Sequence, residues 1–448
     1  MYLSISIMPK KQRQLQKKQK TVKNRIFHNR FLRVLGPGLV TGAADDDPSG
    51  IATYSQAGAG LGYGLLWAFP LMYPLLLVVQ ENCARIGAIT SKGLAAVIKE
   101  HYSKKLLYMS VVLVVVANSI NVGADLGAMA ATTQLFVDVP FALLAILYAL
   151  FIVALVVLVD YKNYAKILKW LALALFAYPI TALLVQQDWP AIFRNTFNLA
   201  PSISFETVYI FMGMLGTTIS PYLFFWDTSE VVEEEISKRT TKKIGVSPLS
   251  TKRYLRKLRL DNFVGMTLAS VTAWFIVIAC AATLNKSGIT DIQTAADAAR
   301  ALEPLVQGFP NAGLVAKGIF SIGIIGIGLL AVPVLAGSSS YAICEAFGIK
   351  EGLHHKFKHA IGFYAIIILA TVAGLTMNFI GIDPMDALVF TAVFNGLAAI
   401  PLLFMIFRVG NSKKIMGDYK NKPITNIFLI ITIFVMTVAA IALFWSFI

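Results

Sequence analysis

Residues 43–50 read AADDDPSG, and they interrupt an apolar run that begins near Phe31 and resumes at Ile51. An ionised carboxylate at the centre of a membrane span costs roughly 2.5–3.5 kcal/mol even on mild insertion scales, so three consecutive aspartates need a reason. Pro48 removes a helical hydrogen-bond donor and Gly50 tolerates unusual backbone angles, so the helix is expected to break here. Irregular backbone at membrane depth is tolerated only where it is buried in protein or lines water. The stretch therefore predicts a binding site inside a membrane protein.

The composition supports an integral membrane protein. Of the 448 residues, 57% are hydrophobic and only 14% are charged, which is far more apolar surface than a soluble domain needs. Apolar runs long enough to cross a bilayer as helices recur along the chain. We place eleven of them, near residues 33–60, 62–86, 106–136, 139–159, 164–185, 207–231, 259–283, 313–344, 359–380, 386–407 and 424–447. The predicted fold is an all-α polytopic membrane protein with eleven transmembrane helices.

The net charge of +15 follows the topology of these spans. If the N-terminus is cytoplasmic, the basic residues on the outer side are only Arg194, Lys286, Arg300 and Lys317. This positive-inside bias predicts a multi-pass protein of the plasma or inner membrane, with residues 1–32 as a basic cytoplasmic tail and an external C-terminus. Membrane topology then explains the excess of basic residues, so nucleic-acid binding is not needed to account for it. The partner that this charge distribution indicates is the lipid bilayer. No obligate protein partner is evident in the sequence.

A second interruption occurs in the sixth span, where residues 213–222 read GMLGTTISPY. One proline or glycine in a membrane helix is common, but two interruptions at corresponding positions of two halves indicate an inverted-repeat transporter. The predicted repeats cover approximately 33–186 and 206–408, and the span at 424–447 is an extra helix. The binding site is expected between the two breaks.

The third span carries a polar stripe, since Asn118, Asn121 and Asp125 are three and four residues apart and share a helix face. The asparagines are as well explained by hydrogen bonding between helices as by a site. Asp125 has no lysine or arginine in its own span, so it must find a partner elsewhere, hold a proton or line water.

At these segments the sequence resembles the Nramp family of proton-coupled divalent metal transporters. The resemblance rests on GPGLVTGAADDDPSG at 36–50, ATYSQAGAGLGYGLLW at 52–67, Asp125-Leu126, and ISPYLFF at 219–225. It implies a LeuT-type fold, with two inverted five-span repeats followed by the extra helix.

The family's first-span motif is Asp-Pro-Gly-Asn, and here it reads Asp47, Pro48, Ser49, Gly50. The resemblance implies that Asp47 binds the metal, whereas the asparagine ligand has become Gly50. In the third span, Asp125 matches the family's aspartate, while two family glutamates correspond to asparagine and alanine at 118 and 128.

The sixth-span motif, Met-Pro-His, reads Ser220, Pro221, Tyr222. A hydroxyl thus replaces the thioether that favours softer metals, and a phenol replaces the histidine implicated in proton handling. The chain is expected to be a divergent branch of the family.

The metal ligands that remain after these substitutions are oxygen atoms. They comprise the Asp47 carboxylate, the Ser220 hydroxyl, and carbonyls freed at the breaks, such as those of Ala44 and Thr217. Such ligands suit Mg2+, Mn2+ or Ca2+ better than Fe2+, Cd2+ or Zn2+. Around them we expect a proton relay or a second layer of polar groups, formed by Asp45, Asp46, Asp125, Tyr222 and Asn118.

The three adjacent aspartates allow two interpretations. In the first, they cannot all ionise at low dielectric without a cation, so at least one releases a proton as metal arrives. In the second, which we favour, they have split roles. Asp47 lies at the site, one neighbour caps the resumed helix, and the other faces an aqueous vestibule.

The sequence therefore predicts a secondary-active transporter that moves a hard divalent cation, Mn2+ or Mg2+, by alternating access. Protons are a candidate co-substrate, and no cofactor is implied. The alternative is a transporter of the same fold for a small organic solute that has lost metal transport. A non-transporting sensor or structural protein is a third class. The sequence shows no set of nucleophile, base and orienting group at the spacing typical of a catalytic site, so an enzyme is not expected.

Overall fold

The computed structural model describes residues 41–42, 44–159, 176–199, 204–237, 248–308, 310–379 and 381–446. The regular elements in these ranges are all helical. The predicted basic tail at 1–32, the start of the first span and much of the span at 164–185 lie outside the described residues.

The helices follow one another through most of the described chain. In order they are α1 (Pro48–Leu61), α2 (Ala68–Thr90), α3 (Leu94–His101), α4 (Lys104–Thr133), α5 (Phe141–Leu158), α6 (Ala177–Leu184), α7 (Trp189–Phe197), α8 (Phe205–Thr218), α9 (Pro221–Ser237), α10 (Pro248–Thr283), α11 (Ala295–Arg300), α12 (Ala312–Phe347), α13 (Ile361–Met377), α14 (Pro384–Asn411), α15 (Lys413–Met416) and α16 (Pro423–Trp445).

The all-helical membrane fold is confirmed, whereas the count of eleven spans is not. Within the described ranges, 7 helical segments are long and apolar enough to cross a bilayer, and α13 is apolar but only 17 residues long. Two of the remaining predicted spans, those containing α1 and α2, are not among these segments for reasons of length or composition. The helix α2 carries polar and charged residues such as Gln80, Glu81 and Arg85, and α1 is only the second half of a broken helix. The repeat boundaries at 33–186 and 206–408 stay predictions.

Both predicted helix breaks are present. Residues 44–45 are helical, the helix stops at Asp46, and α1 begins at Pro48 with Asp47 as its N-cap. Proline suits the first position of a helix because its missing N–H would be unpaired there anyway. In the sixth span, α8 ends at Thr218 and α9 begins at Pro221 in the same way.

The broken segments lie at the centre of the bundle. In the apolar window of Phe205–Ile236, 83% of residues are buried, against 28% in Phe141–Leu158 and 33% in Pro423–Trp445. The helix α1 packs against α8, α10 and α14, and α4 packs against α12, α13 and α14. We infer that α5 and α16 face lipid, while α1, α8 and α9 are enclosed by other helices.

Glycines allow several of these helices to approach closely. The helices α4 and α13 cross at Gly123 and Gly374, where a Cβ atom on Gly123 would lie 2.5 Å from the Gly374 carbonyl oxygen. Small residues at such crossings let two backbones come into contact, and the resulting van der Waals packing is one of the forces that hold helices together in lipid.

We expect Gly123→Ala to lower the free energy of unfolding by about 1–3 kcal/mol, because the new methyl group overlaps backbone that cannot move aside. Gly318→Ala in α12 is the matched control, since its Cβ would meet only the Phe136 ring at 3.9 Å. Thermal unfolding of the purified variants in detergent measures the difference. Equal midpoints for the two variants would contradict this packing.

Candidate functional site

Asp47 is fixed at the first helix break by three hydrogen bonds. Its Oδ1 accepts from the Gly50 backbone N–H at 2.9 Å and from the Ser49 hydroxyl at 2.5 Å, and its Oδ2 accepts from Asn121 Nδ2 at 2.8 Å. The side chain is 1% exposed and lies at the N-terminus of α1, where the helix dipole favours a negative charge. The carboxylate is therefore both the cap of α1 and a link to α4.

Asp45 and Asp46 line a small cavity on another side of the break, together with Tyr54, Tyr73 and Ser270. Asp47 does not line that cavity, which supports split roles for the three aspartates. The capping role, however, belongs to Asp47 itself and not to a neighbour as expected. The described part of the chain holds no group of three or more His, Cys, Asp or Glu side chains placed to bind one metal ion.

Hydroxyl groups donate hydrogen bonds to the two carbonyls that the sequence predicts as ligands, those of Ala44 and Thr217. Ser220 Oγ donates to the carbonyl oxygens of Gly216 at 2.6 Å and Thr217 at 2.8 Å, and Tyr222 Oη donates to the Ala44 carbonyl at 2.7 Å. Each carbonyl oxygen has two lone pairs, so one remains available for a cation. The bond from Tyr222 to Ala44 joins the two broken helices directly.

Asn118 does not reach this site. Its Nδ2 donates to the Leu335 carbonyl at 3.0 Å and to Ser339 Oγ at 3.1 Å, both on α12. It binds two helices together, which was the other interpretation of the polar stripe. Asp125 stays closer to the site, because its Oδ2 lies 3.5 Å from Asn121 Nδ2. Its Oδ1 is buried and has no hydrogen-bond partner among the described residues.

Two asparagines matter more here than the sequence indicated. Asn395 Nδ2 of α14 donates to Asn121 Oδ1 at 3.2 Å, and Asn121 in turn donates to Asp47. This amide chain connects α14, α4 and α1. The available signals were the position of Asn121 on the polar face of the third span and the placement of Asn395 within an apolar run.

A cavity of about 910 Å³ lies at one end of the bundle. Its lining includes Ala52 and Gln56 of α1, and three carboxylates, Glu206, Asp291 and Asp386. This is the end that the charge distribution predicts to be external. This cavity is thus lined by groups that attract cations.

Hydrogen bonds hold the other end together. Glu233 of α9 accepts from Tyr341 Oη and from the Leu353 N–H, both at 2.7 Å, and so holds the segment that follows α12. Glu345 of α12 accepts from Ser229 Oγ of α9 at 2.9 Å. These contacts tie α9 to α12 at the end predicted to be cytoplasmic.

Replacing Tyr222 with phenylalanine tests the link between the two breaks. We expect Tyr222→Phe to lower the free energy of unfolding by about 1 kcal/mol, because it leaves the buried Ala44 carbonyl without its hydrogen bond. Tyr108→Phe, at a tyrosine that is 45% exposed, serves as the control. Thermal unfolding checks both, and an unchanged midpoint for Tyr222→Phe would show that the link contributes nothing.

The comparisons with known proteins agree with this architecture. Residues 38–446 match the family model described as natural resistance-associated macrophage protein-like, or Nramp. The divalent metal cation transporter MntH of Ralstonia nicotianae is 26% identical over 432 residues, which cover 93% of this chain and 91% of the relative. The MntH of Caldanaerobacter subterraneus subsp. tengcongensis is 25% identical over 436 residues, covering 93% of each.

A solved structure gives the same fold. The crystal structure of the Eremococcus coleocola manganese transporter, in complex with an aromatic bis-isothiourea substituted compound, superposes with a TM-score of 0.71. The identity is 18%, and the match covers 93% of this chain and 87% of that chain. With a family match over nearly its whole length and two broken helices joined by the hydrogen bond from Tyr222 to the Ala44 carbonyl, this chain is a multi-pass membrane protein that belongs to the Nramp family.

Proposed function

We propose that this protein moves a hard divalent cation, with Mg2+ and Mn2+ favoured, across the membrane by alternating access. The observation that carries the proposal is the buried Asp47 carboxylate, held at one helix break beside a second break. Relatives named as divalent metal cation transporters cover the same length of chain and support the class of substrate.

The atoms around Asp47 favour a hard ion. The side chains at the breaks offer carboxylate and hydroxyl oxygens, and the Ala44 and Thr217 carbonyls each keep a free lone pair. Ser220 stands where a thioether would favour softer metals. Oxygen ligands suit Mg2+ and Mn2+, whereas Cd2+ and Zn2+ gain more from sulfur and nitrogen.

The difference between the two ends of the bundle supports an outward-facing state, from which the cation would move inward. The large cavity lies at the end predicted to be external, and the contacts of Glu233 and Glu345 close the end predicted to be cytoplasmic. With the N-terminus inside and the C-terminus outside, a cation would enter from outside the cell. Asp45, Asp46 and Asp125 are the candidate proton carriers for a coupled cycle, since each is a buried carboxylate near Asp47.

A small organic cation is the second candidate substrate. It is favoured by one observation, namely that fewer than three acidic, histidine or cysteine side chains converge on a single point in the described ranges. An amine would satisfy Asp47 without further charged ligands, and the cavity is large enough to admit it. Competition between amines and Mn2+ in a thermal-shift assay separates the two substrates.

Uptake into liposomes containing the purified protein tests the proposal. We expect uptake of Mg2+ and Mn2+, and we expect Asp47→Asn to reduce it by about a hundredfold or more, since even outer-layer partners of metal ligands change affinity by 10–100-fold. Asp418→Asn is the control, because Asp418 is an exposed aspartate between α15 and α16. The proposal fails if the wild-type protein moves neither ion, or if Asp47→Asn transports as well as the wild type.

A further inference from the structure

The hydroxyl of Thr217, at the end of α8, is oriented unlike those of comparable threonines. Thr53, Thr228 and Thr371 are buried helical threonines, and each donates its hydroxyl to the carbonyl four residues earlier, at 2.6–2.9 Å. Thr217 is 1% exposed, yet its Oγ1 has no hydrogen-bond partner among the described residues. A buried hydroxyl without a partner is unfavourable, and rotation toward its own helix would ordinarily provide one.

The Thr217 hydroxyl faces the first helix break. A Cβ atom built on Gly50 would lie 2.8 Å from Thr217 Oγ1 and 3.7 Å from the Asp45 carbonyl oxygen. The hydroxyl therefore occupies the space that a side chain at position 50 would need. The backbone N–H of this same Gly50 donates to Asp47 Oδ1, which places the hydroxyl beside the first turn of α1.

The side chain of Thr217 is better placed to bind a cation than its carbonyl. The carbonyl already accepts the Ser220 hydroxyl at 2.8 Å, whereas both lone pairs of Oγ1 are unused within the described structure. A hydroxyl oxygen is a hard, neutral ligand of the kind that Mg2+ and Mn2+ accept.

We propose that Thr217 Oγ1 is a ligand of the transported cation and that Gly50 is required because it leaves room for this hydroxyl. The two residues form one unit that determines ion selectivity, with each break contributing one member. This inference rests on the proposed function and adds to it the identity of a ligand atom.

Binding of Mg2+ and Mn2+ to the purified full-length protein, measured by isothermal titration calorimetry, tests the ligand. We expect Thr217→Ala to raise the dissociation constant by about tenfold, a change equivalent to ~1.4 kcal/mol. Thr217→Ser keeps the hydroxyl and should stay near the wild-type value. Thr371→Ala is the matched control, because Thr371 is equally buried but its hydroxyl donates to the Ile367 carbonyl.

Two further variants test the geometry. Thr217→Cys places a soft sulfur at the same point, so it should bind Cd2+ more tightly than the wild type, while Thr371→Cys should not. Gly50→Ala should displace the hydroxyl and weaken Mg2+ binding as Thr217→Ala does. The double variant should then be little worse than either single variant, because both changes remove the same contact.

The outcomes separate this inference from the proposed function. If Asp47→Asn loses binding while Thr217→Ala binds as the wild type does, the inference is wrong and the proposed function stands. Unchanged Cd2+ affinity in Thr217→Cys would also overturn it. If the wild-type protein binds neither Mg2+ nor Mn2+, the proposed function fails and this inference fails with it. Size-exclusion profiles identify variants that are folded, and the gain in Cd2+ affinity of Thr217→Cys tests the inference independently of Thr217→Ala.

Discussion

The hydrogen bonds that Asp47 accepts at the first helix break hold the site together. A carboxylate at this depth must be stabilised by nearby donors or by a cation. Here the Gly50 N–H and the Ser49 hydroxyl come from the helix that Asp47 caps, and the Asn121 amide comes from a neighbouring helix. Through Asn395 the same chain of amides extends to α14. The position of one carboxylate is thus coupled to three helices.

Hydrogen bonds and packing join the second break to the first. Tyr222 donates to the Ala44 carbonyl, the Tyr54 and Thr218 hydroxyls lie 2.9 Å apart, and the Thr217 hydroxyl lies against Gly50. These contacts lie at or near the ends of the broken helices, and the rest of α1 packs directly against α8. The large cavity at one end and the hydrogen-bonded helices at the other fit one state of the proposed alternating-access cycle.

Much of the fold could be predicted from the sequence, because proline and charged residues inside apolar runs have strong local consequences. Pro48 and Pro221 begin helices, as expected from the missing N–H. The arrangement of side chains could not be predicted in the same way. Asn118 and Asn121 share a broad face of α4, but a spacing of three residues leaves their side chains about 60° apart around the helix axis. This angle is enough for Asn118 to contact α12 while Asn121 contacts Asp47. The orientation of the Thr217 hydroxyl depends on a glycine in another helix, so no local pattern indicates it.

If the proposed function is right, a cation binds between the two breaks, against Asp47. Anomalous diffraction from crystals soaked in Mn2+ would locate it, because manganese can be identified by its own absorption edge. We expect one strong peak in contact with the Asp47 carboxylate and facing the break between α8 and α9. A peak elsewhere in the bundle, with none at Asp47, would contradict it.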